Sequence, residues 1–279
     1  SETRTMSIDL LNKDSLDSKL VVEKINYDTD KVVIKGAEHQ LKEVVEVKAL
    51  VDLNNLTANT AGTYTIKDVP LKAYTKDGEV VDVEIVPETI DVEVQIASPS
   101  KELPIKLVPV GDVASGYAIS SMTSSETKVT VYGDSETLNN LKSIPVNVDV
   151  SGLKEGKTYK LQLEKPVGVK SLSINNITVT VGIGNVSNKK IDGVKISVKN
   201  LSDEYKATPV TESDAEVTVN LKGVQSVING ITADDVTPYV DLTGYEPGNY
   251  EVEVKIEGTD SKVQYTSMTK KVKIKISKK

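Results

Sequence analysis

The stretch VTVYGDSETLNNLKSIPVNVDVSGLKEGKTYKLQL, Val129 to Leu163, decides the fold. It opens with apolar residues at every second place, breaks at Gly133-Asp134, runs through one or two turns of helix and returns to alternation. The second alternating run ends at Asp149, a turn follows, and a third run starts at Tyr159. The same grammar occurs twice more. VVIKGAEHQLKEVVEVKALVDLNNLTANTAGTYTI spans Val32 to Ile66, and VTVNLKGVQSVINGITADDVTPYVDLTGYEPGNYEVEV spans Val217 to Val254.

The register is strict. Gly36 to Asp52 and Gly133 to Asp149 are both 16 residues; the third copy, with Leu221-Lys222-Gly223 in place of the single Gly, reaches Asp241 by a longer route. Leu20, Tyr117 and Tyr205 each precede Ile34, Val131 and Val219 by 14 residues. Each copy closes with another alternating strand: ETIDVEVQI, NNITVTVGI and TKKVKIKI. In the helical insert of the middle copy, Asp134 or Ser135 is placed to cap, Leu138, Leu141 and Ile144 share a face, and Pro145 is the stop. Leu41, Val44 and Val45 play that part in the first copy, and Val224, Val227 and Ile228 before Asn229-Gly230 in the third. Helices this short survive only by closing one end of a sheet. The expected fold is all-β, in three tandem repeats with one short helix each: 1–97, 98–185 and 186–279. The boundaries fall in the short polar stretches 97–104 and 184–190.

Composition narrows the core chemistry. There is no Trp, Phe or Cys, and the aromatic content is 11 Tyr, so cores must be built from Val, Ile and Leu with Tyr at their margins. Cys-free chains offer neither disulfides nor thiol chemistry. Residues 1–97 hold 11 Lys/Arg against 19 Asp/Glu, a net of −8, whereas 98–185 carry +1 and 186–279 carry 0. That acidic first third disfavours nucleic acid as a partner, because phosphates need a basic surface. The end KKVKIKISKK alternates and reads as a last strand plus a charged tail. No stretch approaches the roughly 18 apolar residues of a membrane span. With Ser1 first and no leader, the chain is expected to be a trimmed piece whose anchor lies outside it.

The candidate chemistry is mostly structural. Asp52, Asp149 and Asp241 lead into DLNNL, DVSGL and DLTGY, where a carboxylate accepts a local N–H while the chain reverses; they are read as turn formers rather than cation ligands. Asp234-Asp235 reads as a solvated loop pair rather than a metal site. His39 is the only histidine and has no evident nucleophile to serve. EGKTY at Gly156 mimics the end of a phosphate loop, but Ser151 stands where a Gly is needed and a strand follows; Gly182-Ile183-Gly184 lacks the third glycine of a dinucleotide fingerprint. The N-x-S/T sequences at Asn55, Asn176, Asn185 and Asn200 are of low specificity, and Asn176 starts a strand. Tyr117 after Ser115-Gly116, with Tyr205 in the matching place, could form a ligand shelf; a sheet-margin Tyr is the ordinary outcome. No catalytic, cofactor-binding or metal-binding residue is assigned. A glycoside hydrolase would need two carboxylates about 5 or about 6.5–9.5 Å apart across a cleft.

The order V-x-V-x-G, short helix ending in I-P-V, V-D-V-S-G, T-Y-x-L-x-L and N-I-T-V-T-V resembles the YbbR domain. The resemblance covers nearly the whole chain and weakens toward the third repeat. It implies crossed, twisted sheets in a Y-like arrangement. It also implies a non-enzymatic role, since tandem YbbR units form the extracytoplasmic part of the CdaR regulators of the membrane diadenylate cyclase CdaA in Gram-positive bacteria. Relatives carry an N-terminal transmembrane helix that this sequence lacks. A cell-wall component is a further partner to expect, and a wall-binding or adhesive module is the alternative. The fold also resembles part of a ribosomal protein family, but the acidic balance argues against an RNA role.

Overall fold

The apolar members of each alternating run are the residues the chain buries. In the run Ile144–Asp149, Ile144, Val146 and Val148 are buried while Pro145, Asn147 and Asp149 face water. In Lys271–Lys278, Val272, Ile274 and Ile276 point inward and Lys271, Lys273 and Lys275 outward. The computed structural model describes residues 1–58 and 60–279. It divides into two compact units: Ser1–Pro104, Lys128–Ile144 and Glu164–Asn175 form the first, and Ile105–Thr127, Pro145–Leu163 and Asn176–Lys279 the second.

The first repeat supplies β1 (Glu2–Leu11), β2 (Val21–Asn26), β3 (Lys31–Lys35), β4 (Glu46–Asp52), β5 (Gly62–Tyr74), β6 (Val80–Val81), β7 (Glu84–Val86) and β8 (Thr89–Ala97). The second supplies β9 (Ser100–Val110), β10 (Tyr117–Ser124), β11 (Lys128–Gly133), β12 (Ile144–Asp149), β13 (Lys157–Gln162), β14 (Val169–Leu172) and β15 (Asn176–Asn185). The third supplies β16 (Ser187–Lys195), β17 (Ser197–Lys199), β18 (Tyr205–Pro209), β19 (Glu216–Gly223), β20 (Val236–Asp241), β21 (Gly248–Glu253), β22 (Lys255–Gly258), β23 (Gln264–Ser267) and β24 (Lys271–Lys278). Short helices α1 (Glu38–Glu43), α2 (Ser135–Asn140) and α3 (Gln225–Ile228) follow β3, β11 and β19.

In the first unit the strands of repeat one lie in the order β2-β8-β5-β4-β1-β3-β7, with β6 on β5. Two long strands change partners along their length, which is how the sheets cross. Residues 2–5 of β1 pair antiparallel with β3, and residues 6–11 pair parallel with β4. The start of β5 pairs with β8 and its end with β4, with an irregularity between Ile66 and Val69. This unit also holds residues 100–104 of β9 against β11, and β11 against β14. In the second unit the remainder of β9 lies beside β12, and β10-β15-β13 form a three-stranded sheet. The third repeat breaks the two long strands at Ile196 and Val254, so its sheets separate as β16-β19-β23, β17-β20-β22 and β18-β24-β21.

One aliphatic cluster fills repeat one, from Met6 and Ile34 to Val94 and Ile96. Another fills repeat three around Val219, Leu221, Val240 and Leu242, with Tyr205, Tyr245, Tyr250 and Tyr265 at its margin. Among the described residues no polar or charged side chain is buried. All-β architecture in three repeats therefore stands as read.

Four details differ from the reading. Helix α2 ends at Asn140, because Ile144 is fully buried as the first residue of β12 and cannot also belong to a helix; Pro145 sits inside that strand, which lies at the end of its sheet order where a missing N–H is tolerated. Val45 is 61% exposed rather than on the inner face with Leu41 and Val44. The stretches 97–104 and 184–190 are largely strand, leaving only 98–99 and 186 between neighbouring strands. Tyr64, Tyr159 and Tyr250 each stand two residues inside their strand rather than opening it.

Candidate functional site

Three polar fixtures recur: two are made by every repeat and the third at each of the two junctions between repeats. The first is the turn after the second alternating run. Asp52 Oδ1 accepts from Asn54 N at 3.0 Å, Asp149 Oδ1 from Ser151 N at 3.0 Å, and Asp241 Oδ1 from Thr243 N at 3.1 Å. Asn12 and Asn200, both in the left-handed region, donate to Asp52 and Asp241 at 2.7 and 3.2 Å. The matching place in the second repeat is Gly111 at φ 82°, where a Cβ would collide with Ser151. All three aspartates are turn formers with their carboxylates committed to local donors.

Those donors hold the three carboxyls below their ordinary value: Asn12 foremost for Asp52, Ser151 for Asp149 and Thr243 for Asp241. A depressed carboxyl stabilises the fold above the unfolded pKa, and that contribution is lost as pH falls through the folded one. The turns are therefore expected to keep their full contribution above about pH 4 and to lose it in more acid solution. Carboxyl carbon NMR through an acid titration checks this. Midpoints of Asp52, Asp149 and Asp241 at or above the model-peptide value would remove the argument.

The second fixture caps the short helices. Arg4, Lys101 and Lys189 donate to carbonyls at or just past the C-terminal ends of α1, α2 and α3: Leu41 at 3.4 Å, Leu138 and Leu141 at 3.2 and 2.8 Å, and Ile228 and Ile231 at 3.3 and 2.6 Å. At the other end of α2, Asp134 accepts from Thr137 N at 2.9 Å and Thr137 Oγ1 at 2.8 Å. The cations escaped the sequence reading, although each stands 28 residues before Val32, Val129 and Val217.

The third fixture is a contact between a turn of one repeat and a strand of the next. Inside the first unit, Lys170 Nζ donates to the Leu20 carbonyl, Ser171 Oγ to the Ser18 carbonyl at 2.6 Å, and the Lys19 ammonium sits 5.3 Å from the Tyr132 ring centroid. Burial pushes the Lys170 ammonium below its ordinary value, opposed by Asp17 and Asp14. Inside the second unit, Gln264 Nε2 donates to Asp112 Oδ1 at 3.3 Å. Here the contact leaves a cleft of about 510 Å³, with Asp112, Ser115, Tyr117, Lys222, Lys262 and Gln264 among its lining residues. Its volume is in the range of small-ligand sites. Lys262 is tied to Asp260 at 3.1 Å. The cleft offers hydrogen-bond and charge contacts.

The remaining candidates are dispersed. His39 is exposed on α1. Asp235 closes a capping box by accepting from Thr232 N at 2.9 Å, while Asp234 faces water. Gly156 lies just before β13, Gly182 and Gly184 lie in β15, and Asn176 and Asn185 are its two ends. Asn55 closes a short 3-10 turn after Asp52. Tyr117 lines the cleft and Tyr205 opens β18, both half-buried. Among the described residues no three His, Asp or Glu gather into a metal-binding group, and no helix is long and apolar enough to cross a membrane.

A family model described as YbbR-like protein matches residues 6–94, 103–181 and 193–276. The chain is 28% identical over 249 residues to the CdaA regulatory protein CdaR of Bacillus subtilis, covering 89% of this chain and 50% of that protein. It thus spans about half the length of this curated relative. Among solved structures, a YbbR-like domain from Listeria monocytogenes is 22% identical with a TM-score of 0.30, covering 33% of this chain and 95% of its own. A YbbR-like protein from Streptococcus pneumoniae is 20% identical with a TM-score of 0.28, covering 66% and 97%.

Proposed function

The chain belongs to the YbbR-like family, and from that membership we propose that it is a non-enzymatic regulator of a membrane diadenylate cyclase, the enzyme of cyclic di-AMP synthesis. The observation that carries this reading is the three-fold family match together with similarity, along most of the chain, to a protein named as a CdaA regulator. In this reading the repeats 1–97, 98–185 and 186–279 stand on the extracytoplasmic face of the cell membrane of a Gram-positive bacterium. A transmembrane helix outside this sequence anchors them and meets the cyclase. The polar fixtures support a binding and positioning role, because they commit their charged groups to turns, helix ends and inter-repeat contacts.

The test is co-expression of the protein with a membrane diadenylate cyclase. A changed cyclic di-AMP level together with co-purification of the two proteins is the expected result. Unchanged levels with no co-purification overturn the reading. If isolated cell walls then retain the protein, the cleft of about 510 Å³ favours a second reading, in which the repeats hold a cell-wall component.

A further inference from the structure

The two junctions between repeats are built from equivalent strands and filled differently. Val169 and Val263 stand against Gly133 and Gly223, which brings β14 into correspondence with β23 and β11 with β19. Tyr132 is then matched by Lys222, Gly168 by Lys262 and Lys170 by Gln264. At the first junction the incoming turn satisfies its strands: the Leu20 carbonyl accepts from Lys170, and the Lys19 ammonium lies over the Tyr132 ring. At the second, lysines replace the tyrosine and the glycine.

The incoming turn of the second junction does not neutralise them. Its one acid, Asp112, accepts from Gln264 instead. Lys262 pairs within its own turn, with Asp260. Among the described residues Lys222 belongs to no ion pair. The cleft of about 510 Å³ is therefore lined by two ammoniums and one carboxylate, in a chain whose net charge is −7.

Both walls of the cleft are already fixed. Asp112 O accepts from Gly152 N at 2.8 Å, Ala114 N donates to Leu153 O at 3.0 Å, and Gly116 O accepts from Val186 N at 3.1 Å, which pins the turn along its length. Opposite, Lys222 and Gln264 are cross-strand partners on β19 and β23, and Lys262 N donates to Asp260 Oδ1 at 2.9 Å. None of these bonds uses the Lys222 ammonium or the hydroxyls of Ser115 and Tyr117. Walls held this way lose little freedom when a ligand binds.

We propose that this cleft binds a small anionic sugar, one that carries a carboxylate or a phosphate. Lys222 holds the anion as a compact charge on a flexible stem. Ser115, Asp112 and Gln264 exchange hydrogen bonds with the sugar hydroxyls, and the half-buried Tyr117 ring offers a flat apolar face to the C–H side of the sugar. The Asp112 carboxylate repels a bare anion but accepts from hydroxyls, which selects a hydroxylated ligand over inorganic phosphate. The proposal gives the cleft a ligand chemistry and stands whether or not the protein meets a cyclase.

The test is an amide NMR titration of the full chain with glucuronate, glucose 6-phosphate, glucose and inorganic phosphate. Shifts confined to residues 111–117, 222 and 261–264 are expected with at least one anionic sugar, weakening several-fold between about 50 and about 300 mM salt. The tighter of the two tells carboxylate from phosphate. Glucose and inorganic phosphate should each bind several-fold more weakly. Lys222→Met, at an exposed position, should bring the anionic sugar down to the level of glucose while amides outside the cleft stay in place. An equal response to glucose or to inorganic phosphate overturns the proposal. So do shifts elsewhere, no response at tens of millimolar sugar, or binding that Lys222→Met leaves unchanged.

Discussion

Leu221→Ala is expected to lower unfolding stability by about 3 kcal/mol. Leu221 is fully buried in β19, the central strand of its sheet, where it pairs with Lys189 on one side and Tyr265 on the other. It belongs to a cluster built from Val, Ile and Leu with tyrosines only at the margin. Tyr265, the ring in register with Leu221, is tied through its hydroxyl to Asp260 and is not free to swing into the space left by a lost isobutyl group. The cavity cost therefore adds to the lost transfer energy. That sum is a large share of the 5–15 kcal/mol typical of a folded domain. Urea unfolding followed by far-UV circular dichroism measures it, since no tryptophan reports. A loss under about 1 kcal/mol would show that the strands close over the gap. Val198→Ala, at a site 42% exposed, serves as the control and should cost no more than about 0.5 kcal/mol.

The alternation that places Leu221 was open to reading because a sheet face repeats every two residues and, among the described residues, no polar or charged side chain is buried. Where two periods overlapped, reading failed. Leu138, Leu141 and Ile144 fit one side of a helix, yet Ile144, Val146 and Val148 fit one side of a strand, and fully burying Ile144 in the strand won. Asp52, Asp149 and Asp241 were legible because their bonds to the backbone N–H of Asn54, Ser151 and Thr243 close within two residues; the Asn12 and Asn200 donors, 40 and 41 residues away, were not. Lys101 was not, because its carbonyl partners lie 37 and 40 residues away. The cleft is less legible still: Asp112 and Gln264, which meet across it, are 152 residues apart and belong to different repeats. Local pattern carries nothing about which turn of one repeat touches which strand of the next.

Gly258→Ala tests how one such hidden contact is held. A Cβ at Gly258 would fall within the ring of Tyr265, so either the ring or the β22 backbone must move. Neither is free. Gly258 is in register with Val236 on β20, and Tyr265 is in register with Leu221 on β19. The Tyr265 hydroxyl donates to Asp260 O at 2.8 Å and accepts from Asp260 N at 3.1 Å, closing the turn that joins β22 to β23. Burial, ahead of the nearby acids, raises this hydroxyl above its ordinary pKa, as expected for a packed ring. Substitution should therefore cost about 3 kcal/mol through overpacking and the strain on both hydrogen bonds. If the ring is the cause, the same substitution in the Tyr265→Ala background should cost under about 1 kcal/mol, a coupling of roughly 2 kcal/mol in a double-mutant cycle. Additive losses would instead place the strain in the β22 backbone. Because Gln264 precedes the ring, a true coupling also predicts that Gly258→Ala shifts the Gln264 side-chain amide resonances, reporting disturbance of its bond to Asp112.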